Sequence, residues 1–486
     1  MMQAHQYDVL KGYAIETHEV GVVHIGVGAF HRAHQAVYFD ALLASGADSN
    51  WAIAGVNLRA NESAVIDQLN GQHGQYYLKT ISATGDVDWH LLKPHRYFVD
   101  WVSQPDRAEQ LLAMPSVELV TMTVTESGYF TDDQGVLDVG YPLIANEINQ
   151  KANLGSIYGY LRMGLMARMA ALGDAPITLL CCDNLRHNGQ MLKSCLLHYL
   201  NQMGDMALLE WIDKNVSFPS AMVDRITPRA IPQLDDEMAA YCKKFDASPL
   251  NAGTSIVSED FIQWVIEDNF IGRRPLLEKI GVEFTDDITP YEDMKIRILN
   301  GGHTGLVYLG MLNHYEFFDQ IMRDSDLAAF FDGFEQAEVA PALAYDLGDN
   351  MPISAMKYIE IIKSRFGNQH IADHCLRIAM DGASKMGLFI LPTARAMLLM
   401  GKMPIHCATI IAAWAVFLDR YLQNKYDFTY IDPKWDQFKQ EFIGIDGGLK
   451  LDQLLQSADI FQEIPTLHPE FMAQVKIKFN ALSQQS

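Results

Sequence analysis

Gly21-Val22-Val23-His24-Ile25 runs directly into Gly26-Val27-Gly28-Ala29-Phe30-His31-Arg32, and this junction constrains the fold more than any other stretch. A β-branched run that ends in a glycine turn and opens a helix is the start of a dinucleotide-binding unit. Gly26 and Gly28 allow a tight turn and a close approach of backbone to a pyrophosphate. Ala29, Phe30 and His31 follow at the helix N-terminus, whose amide donors and dipole favour an anion, and Arg32 adds a full positive charge. His31 stands where G-x-G-x-x-G would have its third glycine. On these residues alone an ordinary strand–turn–helix therefore stays open.

Three further runs extend the pattern. Residues 51–56 read as a second strand, followed by Arg59 and Glu62. A carboxylate there accepts from the ribose 2′-hydroxyl of NAD, whereas an arginine meets the 2′-phosphate of NADP. Because Glu62 would repel that phosphate, NAD is the expected cofactor, with NADP left open. Residues 117–125 form another buried-strand pattern ending at Thr125-Glu126, and residues 176–182 repeat it, ending at Asp183-Asn184-Leu185-Arg186-His187-Asn188-Gly189. Ligands of open α/β sheets bind beyond the carboxyl ends of the strands, which places these polar ends for contact. Helical segments such as 156–172 lie between the runs, so the sheet is expected to be mostly parallel.

A chain of 486 residues is too long for one ordinary core, so two large domains are expected. After about residue 290 the strand pattern thins and long apolar-periodic segments take over. Asp286-Asp287-Ile288-Thr289-Pro290 marks the boundary, giving domains over 1–288 and 289–486. The net charge of −23 argues against nucleic acid or an anionic membrane as partner. The six cysteines match no zinc or redox spacing and read as reduced thiols of a cytoplasmic protein. No signal peptide is expected, and the longest apolar run, 407–418, is shorter than the roughly 20 residues that span a bilayer. Nothing bears on association beyond a monomer or small homo-oligomer.

Lys295-Ile296-Arg297-Ile298-Leu299-Asn300-Gly301-Gly302-His303 collects three chemically capable side chains. Wound at about 100° per residue, Lys295 lies at zero, His303 near 80° and Asn300 near 140°, one broad face. A lysine, an amide and an imidazole can act as base and oxyanion donors in an alcohol–carbonyl interconversion. The alternative is a surface lysine, an Asn-Gly turn and a core histidine. Gly301 and Gly302 inside a helix imply that something packs closely on the backbone.

Residues 26–36, Thr123-Val124-Thr125-Glu126, Cys182-Asp183-Asn184, Met222-Val223-Asp224-Arg225-Ile226 and Lys295 to His303 together resemble the mannitol dehydrogenase family. The resemblance runs from about residue 21 to 393, with several distinctive motifs in order. It implies an α/β Rossmann-type N-terminal domain, a mostly α-helical C-terminal domain and a site in the cleft between them. It also implies metal-free oxidation of a secondary alcohol with NAD(P). Carried over, Lys295 resembles the general base, and Asn300, His303 and Asn188 the donors that polarise the substrate oxygen. Asp224, Arg377 and Lys385 resemble substrate contacts. Gly26, Gly28, Ala29, Phe30, His31, Arg32, Glu62, Thr125 and Glu126 fall to the cofactor.

Lysine's free pKa of about 10.4 must be lowered for a base, which burial beside a bound nicotinamide cation would do. Within the family the residues rank D-mannitol/D-fructose first, D-arabinitol/D-xylulose second and fructuronate third, since Ile262 stands where a uronate enzyme would carry an arginine. The rivals are a non-catalytic nucleotide-binding protein, which retention of Lys295, Asn300 and His303 disfavours, and a zinc alcohol dehydrogenase, for which ligand spacing is lacking.

Overall fold

Six short apolar runs build one parallel sheet: β1 (Val20–Ile25), β2 (Ala52–Asn57), β3 (His95–Asp100), β4 (Leu119–Met122), β5 (Ile177–Cys181) and β6 (Val216–Ser217). Their order is β3-β2-β1-β4-β5-β6, every neighbouring pair parallel, which is the doubly wound dinucleotide-binding order. These strands belong to a computed structural model that describes residues 13–484 apart from 133–134, 151–153, 229, 232, 372 and 446. The side chains of Glu126, Gln437 and Phe438 also lie outside the described residues. The backbone divides into two compact units, one running through Ser82 and Asp86–Thr289, the other holding Ala83–Gly85 and the chain from Pro290.

Adjacent residues of one strand enter different cores. Val23, Ile25, Val120 and Leu179 pack on one face of the sheet, and Val22, Ile53, Leu119 and Leu180 on the other. Side chains alternate across a strand, so a sheet covered on both faces demands continuous apolar runs, as seen here. The strand expected over 117–125 stops at Met122 because the next polar groups are used elsewhere. Thr123 Oγ1 donates to Gly26 O at 2.8 Å, and Val124 N donates to Asp183 Oδ1 at 2.5 Å.

Two smaller sheets complete the unit. Tyr76–Ile81 pairs antiparallel with Val87–Leu92 and parallel with Ile256–Glu259. Gln263–Glu267 pairs antiparallel with Ala221–Asp224, setting Asp224 opposite Gln263, and parallel with Glu283–Thr285.

The second unit is helical. Thr289–Met294, Lys295–Asn300 and Gly301–Leu312 follow one another without a break, and the middle segment is a π turn. Two more π turns, Glu335–Val339 and Met386–Ile390, lead into Ala340–Leu347 and Leu391–Leu399. Pro341 and Pro392 stand second in those two helices, and a residue without an N–H displaces the i→i−4 ladder where it enters. The turns at 335–339 and 386–390 both pack against the turn at 295–300. Ile405–Leu422 is long and apolar enough to cross a membrane at a mean hydropathy of 1.3, but 61% of it is buried in this unit, against Gly301–Leu312 and Pro469–Ser483.

Gly302 owes its identity to this packing rather than to a ligand. A Cβ there would lie 2.8 Å from Phe331 Cε2, 3.1 Å from Glu335 Oε1 and 3.3 Å from Phe366 Cε2. Glu335 itself is fully buried, neither carboxyl oxygen has a hydrogen-bond partner, and burial pushes its pKa well above the ordinary 4.5. An acid raised in the folded state is tolerated below its unfolded pKa and costs stability as pH climbs above it. Glu335→Gln is therefore expected to melt progressively higher than wild type from pH 5 to pH 8, the difference growing by up to about 1.4 kcal/mol per pH unit above roughly 4.5. Thermal melts at constant ionic strength check this, and a difference independent of pH contradicts it.

Candidate active site

In the first unit the candidate residues gather at the carboxyl edge of the sheet, where the strand order reverses between β1 and β4. Gly26 takes φ +91°, and a Cβ on it would lie 2.2 Å from Thr123 O, so only glycine fits. Gly28 caps the short helix Ala29–Ala33, and a Cβ there would meet nothing within 4 Å. Gly28 and Ala29 are exposed, and Phe30 is half-buried, stacked on His34 at 5.1 Å. A forced glycine turn beside open space fits a pyrophosphate against the backbone. Thr125 is exposed just beyond β4, and its Oγ1 accepts from Arg59 Nη2 at 3.1 Å. Glu126 opens a short 3-10 turn, and its side chain lies outside the described residues.

Three residues of this edge depart from expectation. Arg32 is buried and turned inward. Its Nη1 donates to Thr254 O at 2.5 Å and its guanidinium lies 5.4 Å from the Tyr76 ring, so it does not face a phosphate. His31 is also fully buried, stacked on His24 with ring centroids 3.3 Å apart and its Nε2 3.0 Å from His95 Nε2. It is part of the floor beneath the turn. Asn188 spends its amide on backbone: Nδ2 donates to Asp183 O at 2.9 Å and Ala221 O at 2.8 Å, and Oδ1 accepts from Ala221 N at 3.0 Å. Fully buried and satisfied, it has no donor left for a substrate. Asn184, named in the sequence as part of the same strand-end motif, is exposed on this loop.

Asp183 organises that loop. Its carboxylate accepts from Val124 N, from the Tyr129 hydroxyl and from the Cys181 thiol, joining the ends of β4 and β5. Glu62 sits half-buried in the turn Ala60–Glu62 after β2; burial lowers the Arg32 pKa on balance, and Glu62 is close enough to oppose that in part. β2 itself ends on Asn57, whose amide is held by Arg59 O and Asp100. Asp224 is the buried last residue of Ala221–Asp224.

The second unit brings together Lys295, Asn300 and His303. In a π turn residue i+5 takes the place that i+4 holds in an α-helix, so Asn300 stands over Lys295. His303 follows three residues on in α geometry, on the same face. The 140° offset expected from uniform α winding is thereby closed. Lys295 is buried, while Asn300 and His303 are partly exposed. The His303 ring stacks on Phe366 at 4.1 Å and meets the edge of Phe318 at 4.4 Å.

Burial pushes the His303 pKa down to about 3; Asp373 opposes this, and Arg377, Arg365 and Lys385 reinforce it. The imidazole is neutral and offers one N–H. Arg377 and Lys385 thus lie within electrostatic reach of His303. Arg377 pairs through two nitrogens with Asp373, and Lys385 Nζ donates to Ile378 O at 2.8 Å. Arg297 is structural: buried, it pairs with Asp346 at 2.6 Å and donates to Thr393 Oγ1 at 3.2 Å.

Comparison with known proteins matches both halves of the chain. The profile of the mannitol dehydrogenase Rossmann domain covers residues 20–279, and that of the mannitol dehydrogenase C-terminal domain covers 287–483. The chain belongs to the mannitol dehydrogenase family. It is accordingly an oxidoreductase acting on CH–OH groups. The D-arabinitol 4-dehydrogenase of Ralstonia nicotianae is 35% identical over 85% of this chain and 86% of its own length. The D-mannonate oxidoreductase of Escherichia coli is 34% identical over 96% and 94%. The structure of Pseudomonas fluorescens mannitol 2-dehydrogenase with NAD and D-mannitol superposes with a TM-score of 0.83 at 34% identity, covering 97% of this chain and 93% of that one.

This member of the family holds several histidines without charge. The fully buried His31 and His95 lie well below 6.5, and the fully buried His24 and the partly exposed His303 are each held down to about 3, all chiefly by desolvation. A base lowered in the folded state leaves stability intact above its unfolded pKa and removes it as pH falls. Melting temperature is expected to fall steadily below about pH 6.5, each of these rings contributing up to about 1.4 kcal/mol per pH unit. Melts between pH 7 and pH 4 measure it; a flat profile down to pH 5 contradicts it.

Proposed function

We propose that the chain is an NAD-dependent polyol dehydrogenase that interconverts a sugar alcohol and its ketose, with D-mannitol and D-fructose the first-ranked pair. The observation that carries the catalytic part is the π turn that stacks Asn300 over buried Lys295 and sets His303 on the same face. NAD, when bound, takes up the hydride from the carbinol carbon. Ala29 and Phe30 would meet its pyrophosphate through backbone N–H groups, while Gly26 and Gly28 shape the turn and donate their own N–H groups to Val56 O and Gly26 O; Thr125 lies on the same strand edge. Glu62 and Arg59 are the groups within that edge that would discriminate NAD from NADP.

Lys295 Nζ removes the hydroxyl proton. The N–H groups of Asn300 and neutral His303 stabilise the oxygen as it becomes an alkoxide and then a carbonyl. Glu292, buried one turn before Lys295, passes the proton on to water. Asn188, spent on backbone, fixes the loop on Ala221. Arg377 and Lys385, within electrostatic reach of His303, contact the hydroxyls along the substrate chain.

The mannitol ranking rests on the motifs around residues 216–228, 286–303 and 365–393. Relatives named for arabinitol and mannonate are about as similar; on the motifs D-arabinitol ranks second and fructuronate third, since Ile262 stands where a uronate enzyme would carry an arginine.

Lys295→Ala is expected to lower turnover by roughly 10²- to 10⁴-fold while NAD binding, followed by calorimetry, stays nearly intact. Equal loss of both marks a structural lysine. Asn188→Ala is expected to cost on the order of 3 kcal/mol of stability by stranding three buried backbone groups, read from denaturant melts. A rate panel of mannitol, arabinitol, sorbitol, fructose, xylulose and fructuronate with both cofactors decides the substrate. Comparable rates on fructuronate and fructose overturn the ranking, and no hydride transfer on any member overturns the enzyme reading.

A further inference from the structure

The floor of the glycine turn is made of histidine. His24 on β1, His31 on the following helix and His95 at the start of β3 are all fully buried. The His24 and His31 rings lie parallel within 12° at 3.3 Å. His31 meets His95 edge-on, their Nε2 atoms 3.0 Å apart, and His95 stacks in turn on Phe98 at 4.6 Å.

The proton positions follow from the partners. Gly26 O is a carbonyl and only accepts, so His24 Nε2, 3.1 Å away, carries the hydrogen. His24 Nδ1 then accepts from Thr121 Oγ1 at 2.8 Å. Gly26 O also accepts from Thr123 Oγ1 at 2.8 Å. One of the paired Nε2 atoms of His31 and His95 donates and the other accepts, and the Nδ1 atom of each has no partner. The glycine carbonyl is thus held from below by His24, whose ring is held flat by His31.

A third glycine at the position of His31 would serve to bring helix and strand close together. Here an imidazole fills that space and supports the turn through a second ring. We propose that His31 is a positioning residue for the dinucleotide: it acts through the His24 ring on the carbonyl of Gly26, and so sets the turn that receives the pyrophosphate. His31 does not itself touch the cofactor. The inference rests on the NAD reading of this turn and goes beyond it by assigning a role to three side chains under it.

The surroundings suit neutral rings alone. The groups facing the cluster are Thr121 and Thr123 from β4 and its end, Phe98 from β3, Tyr76 from its strand, and Arg32 and Gln35 beside His31. Arg32 is the charged member of that set, and its charge disfavours a proton on His31 and on His95.

The test measures NADH affinity of the full chain at pH 8 by energy transfer from protein to nicotinamide, alongside the KM for polyol at saturating NAD. His31→Ala is expected to weaken NADH binding about threefold to tenfold, the equilibrium equivalent of a lost ring stack, with polyol KM unchanged within about twofold. His31→Phe keeps the stack on His24 and is expected to restore wild-type affinity within about twofold. His31→Ala binding NADH as wild type does, or polyol KM shifting as much as NADH affinity, overturns the proposal. If the alanine variant does not fold, the phenylalanine variant decides. A folded His31→Phe that binds NADH tenfold more weakly shows that the stack does not set the turn. Wild type that does not bind NADH at all overturns the NAD reading itself, a result distinct from variants that bind no differently from wild type.

Discussion

Asn300 lies five positions after Lys295, and only a turn wider than an α turn stacks them. The rest of the second unit is consistent with keeping that turn wide. An extra residue in a helix leaves a bulge that would anneal to regular α geometry unless its neighbours accommodate it. Here the neighbours at 335–339 and 386–390 carry the same irregularity, and Pro341 and Pro392 prevent the latter two from reverting. Gly301 and Gly302 then let Phe331, Phe366, Glu335 and the carbonyl of Phe389 come against the helix just past the bulge. The site face and the packing face of one helix are therefore set by a single irregularity.

A comparable economy holds in the first unit. Its sheet is apolar on both faces, yet the strand bearing the cofactor turn contains His24, and the helix after the turn contains His31. Buried polar rings are tolerable when they are uncharged and hydrogen-bonded. His24 meets that condition through Thr121 and Gly26; His31 and His95 meet it halfway, through each other. The same logic removes Asn188 from the chemistry. An asparagine whose three hydrogen bonds all close on backbone is part of the scaffold, whatever its place in a motif.

Much of the architecture was legible because burial on both faces writes itself as unbroken apolar runs. β1, β2, β4 and β5 read in that way, as did the helical character beyond residue 290. β3 did not, since His95-Arg96-Tyr97-Phe98-Val99-Asp100 carries polar groups whose partners come from distant segments: His31 for His95, the carbonyl of Ile15 for Arg96, and Asn57 for Asp100. The candidate site was named from residue types rather than from exact geometry. A fixed 100° advance spread Lys295, Asn300 and His303 over one broad face of up to 140°, and the π turn, which uniform winding does not anticipate, brings Asn300 closer over Lys295. Arg32 was misjudged as well. Its position beside a glycine turn suggests a phosphate contact, while the carbonyl of Thr254, over 200 residues later, decides where it points.

The charge around the candidate catalytic face differs from that of the chain as a whole. The chain carries −23 overall, yet the groups that act on the His303 ring are three cations, Arg377, Arg365 and Lys385, against one carboxylate, Asp373. Arg377 is already bound in two places to that carboxylate, so its charge is largely answered and its remaining N–H groups act as oriented donors rather than as a bare cation. Lys385, held through Ile378 O, is also oriented by neutral backbone. Both side chains are thus held in place beside the His303 ring by the protein's own acceptors, one a carboxylate and one a carbonyl.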